Sequence, residues 1–140
     1  MMKFSIAVAI MAMAQAASAA DDRMARLNAS DIRSALVGHM VRYERPGWTD
    51  TGVQEEFRDD GRWRGTRYNR GPSSFSGLWE IADDRLCVVA MQGLTGYRWA
   101  HGWVCREVWR GQQSGRLFMD HVVMLEGRQV VHVEALKPQL

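Results

Sequence analysis

Cysteine is scarce in this chain: 140 residues hold two, Cys87 and Cys105. They lack the C-x-x-C spacing of a redox or metal pair. Long apolar runs are scarce too. The first, inside residues 4–14, is too short to span a bilayer comfortably, and no later run is long enough. Internal repeats and low-complexity linkers are lacking. Charge of one sign is not in excess either: the formal balance is +2, and +1 once Lys3 is set aside. That balance gives no argument for nucleic acid or anionic lipid as a partner. Gly93 and Gly96 do not form a phosphate loop, because no helical pattern follows them.

What is present begins with "MMKFSIAVAIMAMAQAASAA", a Lys3 n-region, an apolar stretch and small residues at Ala17 and Ala19. This reads as a secretory signal peptide over 1–19, leaving one β-rich domain over 20–140. No cysteine follows the apolar stretch to take a lipid. The expectation is a soluble periplasmic or secreted protein with no membrane span after cleavage.

The mature part opens with "RLNASDIRSALVGH". Asn28 suits an N-cap, Asp31 favours the positive helix end and Gly38 suits the C-terminal cap. Leu27 and Ile32 take the places of a hydrophobic staple, and Ile32, Ala35 and Leu36 make an apolar stripe. One short helix is expected, lying on the core as a lid or plug. After it, runs rich in Val, Trp, Tyr and Phe recur between turn signals: "HMVRYE", "VQEEFR", "RWRGTRY", "GLWEIA", "RLCVVAM", "WVCREVW", "RLFMDHVVML" and "QVVHVEAL". These predict a mainly β fold, a small antiparallel barrel or sandwich of about eight strands with one N-terminal helix.

Register decides the role of the cysteines. If "RLCVVAM" and "WVCREVW" pair with Cys87 facing Cys105, Arg85 falls opposite Glu107 and Val89 opposite Trp103, both favourable cross-strand pairs. An exported protein meets an oxidant, so the pair is read as a structural disulfide.

The order "LNASDIRSALVGH", "FRDDGRWRG", "SGLWEIADDRLC" and a second cysteine within a strand resembles small exported proteobacterial proteins of uncharacterised function. The resemblance implies a helix followed by a β-rich domain in the cell envelope, and transfers no catalytic residue. Through "TGYRWAHGW" and "EVWRG" the chain is also similar to periplasmic lysozyme inhibitors, although its cysteine placement differs from theirs.

Several groups are candidates for chemistry. A two-residue turn at Glu126-Gly127 sets His121 opposite His132, a metal seat that lacks a third ligand; a turn at Gly127-Arg128 separates the two. With no ligand set complete, no metal and no cofactor is expected. Glu55 and Glu56 point to opposite faces of a strand and cannot act together as acid and base. Asp59-Asp60-Gly61 and Asp83-Asp84 are turn residues. Ser73, Ser74 and Ser76 are read as a loop without a nucleophile-elbow context.

Trp79 reads as core, while Tyr97, Trp99, His101 and Trp103 lie in or beside a Gly-rich connection, where rigid aromatics either plug the barrel end or bind a partner. Arg58, Arg62, Arg64, Arg67 and Arg70 surround Trp63, with Arg62 and Arg64 on one face and Trp63 on the other. The expected function is therefore a small periplasmic binding or protein-interaction domain. Tyr97, Trp99, His101, Trp103, Arg62 and Arg64 are its candidate contacts, and an envelope component or periplasmic protein is its partner. A lysozyme-type hydrolase inhibitor and an enzyme of unassigned reaction are the alternatives.

Overall fold

The alternating runs form the strands, and the capped segment forms the helix. A computed structural model describes residues 22–44, 52–68, 71–94, 102–123 and 125–136. Residues 1–19, Trp48, Arg70, Tyr97, Trp99 and His101 lie outside the described residues. The elements are β1 Met24–Arg26, α1 Ala29–Leu36, β2 His39–Glu44, β3 Gly52–Phe57, β4 Arg62–Tyr68 and β5 Pro72–Ala82. They continue with β6 Arg85–Gln92, β7 Val104–Arg106, β8 Val108–Gly111, β9 Leu117–Met119 and β10 Gln129–Ala135.

All ten strands belong to one sheet in the order β1-β8-β9-β10-β2-β3-β4-β5-β6-β7, with every neighbouring pair antiparallel. The sheet curls into a half-barrel. It is a single sheet rather than two stacked ones, and it has ten strands rather than about eight. Each of the eight predicted runs contains a strand. The surplus comes from β1, which hydrogen-bonds to β8, and from a break at Glu107 that splits "WVCREVW" into β7 and β8. β7 pairs with β6 at one end of the strand order while β8 pairs near the other, so the curl brings both ends of the sheet to one stretch of chain.

Local chemistry explains the turns. Asp83 and Asp84 both adopt positive φ, at 51° and 54°, between paired Ala82 and Arg85. This is the backbone a two-residue hairpin demands. Asp84 also accepts the backbone N–H of Ala29 at 2.7 Å, and Arg26 donates to both turn carbonyls. The hairpin thus anchors the helix entry. Asn28 is the N-cap, its side chain accepting from the Asp31 N–H at 2.9 Å, and Val37 is the C-cap, with Gly38 just past it as the capping glycine. Gly38 follows at φ 77° and donates its N–H to the Phe57 carbonyl.

The helix packs on β2, β5 and β6. Ile32 and Leu36 are fully buried and join Val41, Phe57, Trp63, Phe75, Leu86 and Val88 in one core. Trp79 is buried there too, as expected, and its indole N–H donates to the Arg58 carbonyl at 2.7 Å.

The disulfide between Cys87 and Cys105 is present, with the two residues directly paired across β6 and β7. Arg85 approaches Glu107 at 3.9 Å, the partner the register requires. Closing a loop with a sequence separation of 18 contributes about 3 kcal/mol through lost chain entropy.

Two local expectations are overturned. Ser73, Ser74 and Ser76 are not in a loop: β5 starts at Pro72, so these serines pair with Arg67, Thr66 and Arg64 of β4. Proline is compatible with the first residue of a strand, where its missing N–H leaves no gap in the ladder. Of "RLFMDHVVML", strand covers Leu117–Met119 alone. The Asp120 carboxylate turns to accept the Glu107 N–H, His121 has a positive φ of 49°, and Val122 and Val123 both enter the core.

Candidate functional site

Period-two alternation separates two polar assemblies on opposite faces of β3. The inner one is centred on Glu55, which stands between Val53 and Phe57 on the core side and is fully buried. Arg106 of β7, also fully buried, donates from Nη1 to Oε1 at 2.7 Å and from Nη2 to Oε2 at 3.0 Å. The Trp63 indole adds a third donor to Oε2 at 2.5 Å. Tyr43 and Arg106 both donate to the Met119 sulfur, at 3.2 and 3.4 Å. Burial works against the Arg106 charge, but the adjacent Glu55 carboxylate outweighs it and raises the guanidinium pKa above its ordinary value. Burial, reinforced by the Glu55 charge, holds the Tyr43 phenol well above the ordinary range, so it stays neutral. The carboxylate and guanidinium pair inside the core through two hydrogen bonds. This assembly is structural cement for β3, β4 and β7.

The outer assembly lines a depression of about 340 Å³. Register aligns its members in two rows across the strands. One row is Met40, Glu56, Arg64, Ser76 and Gln92; the other is Gln54, Thr66 and Ser74. Glycines beneath shape the hollow. A Cβ at Gly65 would lie 2.1 Å from the Phe75 ring, and one at Gly77 would lie 1.8 Å from the Val89 carbonyl oxygen. Only glycine fits these close approaches, and the β5–β6 pairing carries a β-bulge between Ser76 and Gly77. Gln54 donates to the Tyr68 hydroxyl at 2.7 Å and forms one rim.

Among the described residues, neither the Glu56 nor the Arg64 side chain has an ion pair or hydrogen bond, and the same holds for the side chains of Thr66, Ser74, Ser76 and Gln92. The lining holds one outward carboxylate, one guanidinium, two amides and three hydroxyls. Chemically this is a hydrogen-bonding surface with one charge of each sign.

The sequence-predicted contacts separate. Arg62 and Arg64 share the outer face while Trp63 is buried, as alternation requires, but only Arg64 lines the hollow. Arg62 lies 3.6 Å from Asp60. Trp103 is 47% exposed just before β7, so it does not plug the barrel end. His121 and His132 are not cross-strand partners. The β9–β10 register places Met119 opposite Gln129, and His132 instead pairs with Arg42 of β2. No group of three metal-ligating side chains occurs among the described residues.

Sequence reasoning missed Gln54, Glu56, Thr66, Ser74, Ser76 and Gln92 as a cluster. The signal that finds them is the Asp59-Asp60-Gly61 turn, which pairs Phe57 with Trp63 and so sets Glu56 opposite Arg64. It missed the Glu55–Arg106 pair as well, although Arg106 stands between Val104 and Val108.

Fold and site together define a small disulfide-tied antiparallel β domain with a polar hollow on its outer face. Comparison with models of known protein families, with curated proteins and with solved structures finds no match.

Proposed function

We propose that this chain is an exported binding domain, carried to the periplasm by its N-terminal segment, which holds an envelope component in the hollow on the outer face of β2–β6. The observation that carries this reading is the alignment of Glu56, Arg64, Ser74, Ser76 and Gln92 in one depression, with none of their side chains engaged among the described residues. Directly opposed opposite charges on a sheet attract one another, and a concave cluster of open donors and acceptors suits a ligand. The disulfide suits an oxidising compartment.

The test is retention of the mature, disulfide-bonded protein on purified cell-wall sacculi and on outer-membrane vesicles. Retention by one of these is expected, lost in Arg64→Glu and kept in Arg23→Glu, an exposed position outside the hollow. Retention by neither, or retention indifferent to Arg64, overturns the reading.

A further inference from the structure

Resting on that binding reading, we infer that the hollow recognises the head group of an α-amino acid, an ammonium and a carboxylate on one carbon. The argument starts from a pair that does not close. Glu56 and Arg64 are direct partners across β3 and β4. Directly opposed side chains start with Cβ atoms roughly 5 Å apart, within easy reach of an ion pair. They nevertheless make none among the described residues. On the same face, Arg42 and Glu134 are only diagonal neighbours, since Arg42 pairs with His132 and Glu134 with Met40, and they close to 2.7 Å. The sheet therefore permits such bridges, and the hollow holds two charges of opposite sign side by side and uncompensated.

Charge class then selects the ligand. A simple anion gains Arg64 and is repelled by Glu56. A simple cation meets the reverse. A neutral molecule strips water from both charges and returns nothing. A zwitterion with adjacent charges compensates both, the ammonium donating to Glu56 and the carboxylate accepting from Arg64. Its charges are one carbon apart, and the two strands that present the partners are roughly 4.8 Å apart, so one head group bridges them. The rest of the ligand meets Ser74, Ser76, Thr66 and Gln92, which favour a polar body, and the volume of about 340 Å³ admits one residue-sized molecule. Two sources supply this head group: a free amino acid, or the unlinked end of a diamino diacid side chain in a wall-polymer peptide, where ammonium and carboxylate share one carbon.

The experiment is an amide-detected NMR titration of the mature, disulfide-bonded protein with L-alanine, N-acetyl-L-alanine and L-alanine amide. L-alanine is expected to shift the amides of Glu56, Arg64 and Ser74. The two blocked forms, each lacking one charge, bind about tenfold or more weakly. Glu56→Gln removes the discrimination against the N-acetyl form, and Arg64→Gln removes that against the amide. Equal binding of all three, shifts confined to other strands, or no shift with L-alanine overturns the inference.

Sacculi separate the two levels. Arg64-dependent retention on sacculi with no L-alanine response leaves the binding reading standing and sinks the amino-acid head group. Displacement from sacculi by L-alanine supports the inference with a displayed source. An L-alanine response without retention supports the head group with a free source and overturns the envelope component as the ligand.

Discussion

Glu55 and Glu56 follow one another in β3, yet one sits at the centre of the core and the other faces solvent. Glu55 receives two bonds from Arg106 and one from Trp63 at zero exposure, whereas Glu56 faces Arg64 across a strand pair and meets no partner among the described residues. Both carboxylates have an arginine within the reach of the fold. The difference lies in solvent. Inside, an uncompensated charge costs several kcal/mol, so burial is possible only with the guanidinium and indole locked onto it. Outside, water solvates each charge separately and the bridge is optional, which leaves the pair open to a ligand.

The largest expected effect comes from breaking the inner side. Arg106→Met leaves the Glu55 carboxylate buried with neutral donors alone, and should lower stability by about 3–5 kcal/mol. The reading is the urea midpoint of the disulfide-intact protein. Combining Glu55→Gln with Arg106→Met should cost less than the sum of the single losses, because no unpaired charge remains. A loss below about 1 kcal/mol for Arg106→Met would remove the contrast between the faces.

A second effect, smaller per pH unit, sharpens the comparison through Tyr43. Burial and then the Glu55 charge raise its folded pKa well above the ordinary phenol value of 10.0. The unfolded chain therefore loses the phenolic proton first. Stability is fully present below pH about 10 and falls above it, with a slope approaching 1.4 kcal/mol per pH unit. Urea melts across the alkaline range should show this slope, and Tyr43→Phe should flatten it. A slope unchanged by Tyr43→Phe would place the alkaline sensitivity elsewhere.

The same two faces show how far a sequence can be read. Alternation fixed the faces of Arg62, Trp63, Arg64 and Trp79, and pairing logic fixed Cys87 with Cys105, because these depend on neighbours along one strand or across one hairpin. The Asn28 cap was legible for the same reason. Glu55–Arg106 was not, since its partners stand 51 residues apart and meet only when the sheet curls. Ser73, Ser74 and Ser76 misled because serine composition suggests a loop, while pairing with an established strand overrides weak propensity. His121 was misplaced by assuming the chain stayed extended beyond Met119; Asp120 ends the strand by capping the Glu107 N–H.

The smallest expected effect is on the outer side, and it is the sharpest comparison because the chemical change is identical. Glu55→Gln and Glu56→Gln each exchange a carboxylate for an amide at adjacent positions. Glu55→Gln strands a buried guanidinium and should lose about 3–5 kcal/mol. Glu56→Gln removes no ion pair or side-chain hydrogen bond among the described residues and should move stability by no more than about 0.5 kcal/mol in either direction. Arg64→Gln should behave alike, and neither effect should depend on the other in a double-variant cycle, because no bridge joins the two in the free protein. Urea midpoints of the four variants decide it. A coupling between Glu56 and Arg64 near 1 kcal/mol would mean that the pair closes in solution, and the hollow would then hold no open charges for a ligand to meet.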